Sequence, residues 1–102
     1  RMVSIRGIQM SVEKLRTDRE AALEKLAQVA EEAVRQDGAH AFVFGCLALT
    51  GMGEALTERI GLPVVDSAHC AVSLAESLVK MGLRYSRRTY AAPPVLPENL
   101  RL

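Results

Sequence analysis

The chain has 102 residues, of which 49% are hydrophobic and 25% are charged, and its net charge at neutral pH is +1. This length suits a single domain, the apolar fraction excludes intrinsic disorder, and the balanced charge gives no electrostatic case for binding nucleic acid or a membrane. No apolar run is long enough to span a bilayer, and the two cysteines, Cys46 and Cys70, suit free thiols in a reducing cytoplasm. Because the chain opens on Arg1 rather than Met, we expect it to begin inside a longer reading frame.

The first half of the sequence predicts a strand, a helix and a second strand. Residues 3–8 are rich in β-branched side chains and favour a strand, and Thr17 followed by Glu20 has the pattern of a capping box at a helix start. The predicted helix ends at Gly38, where a left-handed cap belongs, and residues 41–44 form an apolar run typical of a buried strand. The helix carries one apolar stripe, made of Leu23, Leu26, Ala27, Ala30, Ala33 and Val34.

The second half repeats the alternation of helix and strand. A helix is predicted over residues 51–60, with Gly61 as its stop, and a strand over residues 62–65. Asp66 or Ser67 then caps a third helix that ends near Gly82. Its apolar stripe consists of Ala71, Val72, Ala75, Leu78 and Val79.

This element order predicts a doubly wound α/β fold, in which three parallel strands form a βαβαβα unit. We assign residues 1–83 to this lobe and residues 84–102 to a basic, proline-rich tail that packs along a surface. Because three helices barely cover both faces of such a sheet, we expect the lobe to be incomplete and the chain to form a homo-oligomer.

Polar residues follow two of the predicted strands, at the sheet edge where ligands bind in open parallel sheets. Cys46 comes after residues 41–44 and precedes a helix, whose free N–H groups around Leu49, Thr50 and Gly51 would lower a thiol pKa and hold a carboxylate. Asp66 follows residues 62–65. Each residue also has a plainer interpretation: Cys46 as a small buried hydrophobe, Thr50 and Asp66 as helix caps, and Gly51 as a loop former.

The remaining candidates carry less chemistry. His69 and Cys70 are adjacent on a helix and point about 100° apart, so they do not readily share a metal ion, and we predict no metal site. A disulfide between Cys46 and Cys70 is not expected in a reducing compartment. The basic cluster near Tyr85 is balanced by the acidic residues of the first helix, so no basic face dominates.

Four segments together resemble the second half of proteins of the aspartate/glutamate/hydantoin racemase superfamily. They are DGAHAFVFGC at residues 37–46, Gly51-Met52, IGLPVVD at residues 60–66 and AESLVKMGL at residues 75–83. The ending, Ser86-Arg87-Arg88 through Tyr90-Ala91 and Pro93, is also similar to the way these proteins finish. The resemblance covers residues 3–93 and implies two similar α/β lobes with the active site in the cleft between them.

The resemblance implies racemisation without a cofactor. One cysteine thiolate removes the α-proton of an amino acid, a hydantoin or a related carboxylate, and a cysteine of the opposite lobe returns a proton to the other face. It places Cys46 at the second of these cysteines and a substrate-binding position at Leu47. From the helix start after Cys46 we add Thr50 and Gly51 as predicted substrate-binding positions. The chain departs from the family where Leu47 replaces a residue that is often Thr, and Cys70 does not match the partner cysteine.

Two other functions stay open from the sequence. The same superfamily includes decarboxylases of malonate-type acids, in which a single thiol protonates an enolate, and Cys46 alone would suffice for that reaction. In the other case, a truncated α/β module without catalysis would serve only for dimerisation.

Overall fold

The computed structural model describes residues 1–90 and residue 98, and its helices alternate with two short strands. In chain order the elements are α1 (Val12–Thr17), α2 (Arg19–Asp37), β1 (Phe42–Val43), a 3-10 helix (Leu47–Leu49), α3 (Gly53–Ile60), β2 (Val64–Val65) and α4 (Ser67–Lys80). In this part of the chain, no helix combines the length and the apolarity needed to cross a bilayer.

The two strands are parallel, and α3 lies between them in the chain. Phe42 is in register with Val64 and Val43 with Val65. The ladder extends by one bond at its carboxyl end, where the Phe44 N–H donates to the Val65 carbonyl at 3.1 Å. The predicted α/β class with parallel strands is confirmed, and both strands lie within the predicted segments.

The strand predicted over residues 3–8 is not formed, and this prediction is wrong. The segment lies beside the end of α2 and is held by side chains: Arg6 Nε and Ser4 Oγ each donate to Asp37 Oδ2 at 2.7 Å, and Arg6 Nη2 donates to Gln36 Oε1 at 2.8 Å. A β-branched pattern produces a strand only where a neighbouring strand accepts its hydrogen bonds. The described sheet therefore has two strands rather than three.

The start of α2 also differs from the prediction by one residue. Thr17 is the last residue of α1 and its hydroxyl donates to the Glu13 carbonyl, so the predicted capping box is not present. Asp18 caps α2 instead, and its carboxylate accepts the Ala21 N–H at 3.1 Å. At the other end Gly38 has the predicted left-handed conformation, with φ of 66°.

The core lies where α2 and α3 pack together and where β1 ends. Leu56 of α3 is its most buried large side chain. The full cluster is Leu15, Ala22, Leu26, Ala27, Phe44, Leu49, Met52 and Leu56. Most of the apolar stripe predicted for α2 contributes to buried packing, which confirms the periodicity.

The last helix has a different environment from the others. The predicted cap at Asp66 is confirmed, but no residue of α4 is buried, and apolar side chains such as Val72 and Leu74 are exposed. After α4, residues 84–90 are exposed, and Tyr85 packs edge-to-face against Tyr90 with ring centroids 6.3 Å apart. Residues 91–97 and 99–102 of the predicted tail lie outside the described residues.

Candidate active site

Cys46 stands just beyond the carboxyl end of β1, as predicted from the sequence. Its backbone is extended, with φ of −140° and ψ of 128°, because it links the strand to the 3-10 helix that starts at Leu47. The residue is half-buried and packs against the core cluster, and its sulfur is a free thiol. The residue is therefore partly exposed at the edge of the sheet.

A tight turn follows the 3-10 helix. Thr50 has φ of −51° and ψ of 132°, Gly51 has φ of 82°, and the Met52 N–H donates to the Leu49 carbonyl at 3.0 Å. These angles and this bond define a type II β-turn over residues 49–52. Its third position requires a positive φ, which explains the glycine at residue 51.

The central peptide of this turn is bound at both of its polar ends. Arg19 Nη2 donates to the Thr50 carbonyl at 2.8 Å, while the Gly51 N–H donates to Asp66 Oδ2 at 2.6 Å. Arg19 Nη1 also donates to the Ala48 carbonyl at 3.1 Å. The turn is thus tied to the start of α2 on one side and to the start of α4 on the other.

The Asp66 carboxylate accepts hydrogen bonds from two segments, each through a different oxygen atom. Oδ2 accepts from Gly51, whereas Oδ1 accepts the N–H groups of Ala68 and His69 at 3.1 and 3.4 Å. The Gly51 N–H is the largest cause of the lowered pKa of Asp66, and its desolvation acts in the opposite direction. His69 Nδ1 lies 3.7 Å from Oδ2, so a protonated imidazole adds to the stabilisation of the carboxylate.

The N–H groups that the sequence predicts to be free after Cys46 are not free. The amides of Leu49, Thr50 and Gly51 donate to Cys46 O, Leu47 O and Asp66 respectively. The prediction was wrong because these residues form a 3-10 turn and a β-turn, which use their own amides, and α3 begins only at Gly53. A ligand carboxylate could not use these three donors without displacing an internal acceptor.

The predicted substrate-binding side chains lie together on this loop. Leu47 is 74% exposed, and the Thr50 hydroxyl donates to the Leu47 carbonyl at 2.7 Å, which leaves its oxygen lone pairs to accept. A depression of about 620 Å³ opens beside the loop, and its lining includes Gly51, Asp66, His69 and Cys70. Cys46 is not part of that lining among the described residues.

His69 and Cys70 do not build a metal centre with their neighbours. Within residues 1–90 and 98, no group of three or more His, Cys, Asp or Glu side chains is placed to hold one ion. Arg19, which binds two carbonyls of this loop, is the residue of this region that was not predicted from the sequence. An exposed arginine in the first turn of a helix has no local pattern that distinguishes it from a solvated charge, so no signal in the sequence pointed to it.

Comparison with known proteins assigns this constellation to a family. The Asp/Glu/Hydantoin racemase family matches residues 1–75, which include Cys46, the turn and Asp66. The chain belongs to the Asp/Glu/hydantoin racemase family. This confirms the resemblance noted in the sequence.

Members of this racemase family similar to the chain include a hydantoin racemase from Paenarthrobacter aurescens, 39% identical over 94 residues, and one from Pseudomonas sp. strain NS671, 34% identical over 94 residues. Each alignment covers 91% of the chain but only 40% and 38% of the relative. The crystal structure of an allantoin racemase from Pseudomonas fluorescens superposes with a TM-score of 0.83 at 42% identity, over 93% of this chain and 41% of that one. The chain therefore spans about two fifths of the length of the relatives it matches.

Proposed function

We propose that this racemase-family chain takes part in inverting the configuration at the carbon that bears the side chain of a hydantoin ring, with Cys46 as a proton-transfer group. The observation that carries the proposal is the position of the Cys46 thiol, directly after β1 at the carboxyl edge of a parallel sheet. The family match includes this residue, and the similar proteins are named hydantoin and allantoin racemases. These names favour a hydantoin over a free amino acid as substrate.

The proposed reaction is a proton exchange at one carbon. The Cys46 thiolate, or its partner, takes the proton from carbon, and the electron pair of the C–H bond moves into the adjacent ring carbonyl as an enolate. A thiol on the opposite face then donates a proton to the same carbon, and the carbonyl reforms. Such proton transfers are efficient when the pKa of the acid and base lies near the working pH. The reaction needs no cofactor, which stays a prediction.

The second thiol of this mechanism lies outside the loop described above. Cys70 sits on α4 and is exposed, while Cys46 is half-buried next to the core. We propose that the chain corresponds to the C-terminal part of the racemase fold and that the partner cysteine comes from further polypeptide or from a second copy. The uncovered apolar side chains of α4 support association, since burying them removes apolar surface from water.

The remaining properties follow from composition. We propose a cytoplasmic protein, because its two free thiols persist in a reducing compartment. A small-molecule substrate is proposed as its ligand, and nucleic acid and membranes are not proposed as partners, because the net charge of +1 provides no extended basic surface.

The experiment that tests the proposal is α-proton exchange in D2O. The chain is incubated with 5-substituted hydantoins, amino acids and arylmalonates, and deuterium uptake is followed by NMR. We expect exchange with a hydantoin and, in Cys46→Ser, a loss of about 100-fold or more, the usual contribution of one acid-base group. Cys70→Ser is the matched control and should retain the rate.

Three results would contradict the proposal. Because a single thiolate can exchange the proton on its own face of the substrate, absence of exchange with every substrate would remove the catalytic role of Cys46 in this chain. Equal losses in Cys46→Ser and Cys70→Ser would remove the specific role of Cys46. Decarboxylation of an arylmalonate without exchange of a hydantoin would favour the single-thiol decarboxylase instead.

A further inference from the structure

We infer that Arg19 and Asp66 act as a pair of positioning residues, which hold the Thr50–Gly51 peptide of the turn after Cys46 in one of its two possible orientations. We call the two hydrogen bonds, from Arg19 and to Asp66, the clamp, and its existence does not depend on the proposed function. Any effect of the clamp on catalysis rests on the proposed function. Neither side chain is assigned a contact with the substrate.

The geometry of a peptide unit makes this arrangement specific. The carbonyl and the N–H of one peptide are fixed in a plane and point in opposite directions. Here the carbonyl accepts from Arg19 at 2.8 Å and the N–H donates to Asp66 at 2.6 Å, so a cation and an anion bind the two ends of one rigid group. Charge-assisted hydrogen bonds of this kind are about twice as strong as neutral ones.

The turn has an alternative that the clamp excludes. Type I and type II turns differ by a rotation of about 180° of the central peptide, and glycine at the third position permits both. In the rotated form the Thr50 carbonyl would leave Arg19 and the Gly51 N–H would leave Asp66. Both charged contacts would then be lost together, while the Met52 to Leu49 bond that closes the turn can remain.

The atoms involved are separable from those that stabilise the helices. Asp66 caps α4 through Oδ1, so Oδ2 is committed to Gly51. Asp18, not Arg19, caps α2. The guanidinium of Arg19 instead reaches two carbonyls of the loop that carries Leu47 and Thr50, and its planar fork suits such a double contact.

The test separates these roles by substitution. Asp66→Ser keeps a side chain suited to a helix N-cap but is too short to cap α4 and accept from Gly51 at once. Arg19→Gln removes the charge, and Arg19→Lys restores it with a single donor group. Arg35→Gln is the matched control for the arginine, because it changes the same residue type without touching the turn. Asp37→Asn controls for a general loss of stability, because Asp37 binds Arg6 and Ser4 away from the turn.

The primary readout is the Gly51 amide proton in NMR of the full chain. We expect a slowly exchanging amide in the unmodified protein and exchange faster by about tenfold or more in Asp66→Ser, the effect of losing a hydrogen bond to a charged group. Arg19→Gln should also speed exchange, Arg19→Lys should partly reverse this, and the effects of the two single changes should not add in the double variant. Helical circular dichroism should be unchanged in each.

Two results would overturn the inference: a Gly51 amide unaffected by Asp66→Ser and Arg19→Gln, or one affected as strongly by the controls. The effect of the clamp on catalysis is measured separately, through KM and kcat for a hydantoin. Arg19→Gln should raise KM with a smaller change in kcat, and a loss confined to kcat would also overturn the inference. If the unmodified chain shows neither turnover nor proton exchange, the proposed role of Cys46 in this chain fails, and the amide measurement still decides the clamp.

Discussion

Replacing Leu56 by alanine should remove a large share of the stability of the lobe. Leu56 is 1% exposed and belongs to the cluster that joins α2, α3 and the end of β1. The change deletes three side-chain carbons, worth about 2.4 kcal/mol in transfer free energy at about 0.8 kcal/mol each. The cavity left behind adds to this, so we expect the free energy of unfolding to fall by about 2–5 kcal/mol.

The matched control makes the same substitution on the uncovered helix. Leu74 of α4 is 61% exposed in the single chain, so at protein concentrations where the chain is monomeric Leu74→Ala should change the free energy of unfolding by about 0.5 kcal/mol or less. Both variants are compared with the unmodified chain by urea denaturation, followed by far-UV circular dichroism at several protein concentrations. The slope m should be the same in all three, because the surface exposed on unfolding is nearly unchanged.

Equal losses in the two variants would refute the reasoning. They would mean that Leu74 is buried in solution and that the core cluster around Leu56 is not the main source of stability. A control that destabilises only at high protein concentration would locate that burial in an assembly rather than within one chain.

Other predictions concern charge and backbone conformation. The hydrogen bond from Arg6 lowers the pKa of Asp37, and the hydrogen bond from Gly51 lowers the pKa of Asp66. Both carboxylates therefore stabilise the fold above the unfolded pKa of about 3.9, and this stabilisation is lost as the pH falls through their lower folded pKa values. Tm should therefore fall as the pH is lowered below about 4. The fall should be smaller in Asp66→Ser, and an unchanged profile would contradict the assignment. Gly61→Ala should lower the free energy of unfolding, measured by urea denaturation, by about 1–2 kcal/mol, because φ is 68° there. Nothing lies within 4 Å of the added Cβ, so the loss comes from the backbone conformation alone. Arg6→Gln should release the first ten residues from α2 and speed their cleavage in limited proteolysis, whereas an unchanged cleavage rate would show that Ile8 and Met10 hold the segment by themselves.

The sequence predicted most of the helices and both strands, because these elements depend on local patterns. Apolar periodicity identified α2 and α4, and the left-handed glycines Gly38 and Gly61 marked helix ends correctly. The strand over residues 3–8 failed because a strand depends on a partner, and a sequence pattern does not show whether one is adjacent. The predicted N-cap of α2 was wrong by one residue, because Thr17 and Asp18 are both suitable N-cap residues and α1 was not predicted.

The candidate site was predictable in part. The positions of Cys46 and Asp66 at strand ends followed from the order of the elements, since parallel strands present their carboxyl ends at one edge. The bonds that close around Gly51 were not predictable, because Asp66 and Arg19 are 15 and about 30 residues away in the chain and meet the turn only after folding. No pattern within a single segment of the sequence indicates contacts between side chains and a turn that come from three different elements.

The short parallel ladder also bears on the order of folding. Each strand contributes two residues, and Phe42 pairs with Val64 across a loop that contains α3. The few contacts of this ladder offset little of the conformational entropy that is lost when the loop closes. Packing of α3 on α2 through Leu56 shortens the loop to be closed and should come first, which predicts that substitutions at Leu56 slow folding, while those at Val43 or Val65 mainly speed unfolding. The edge of the sheet that carries Cys46 would then be among the last parts of the lobe to form.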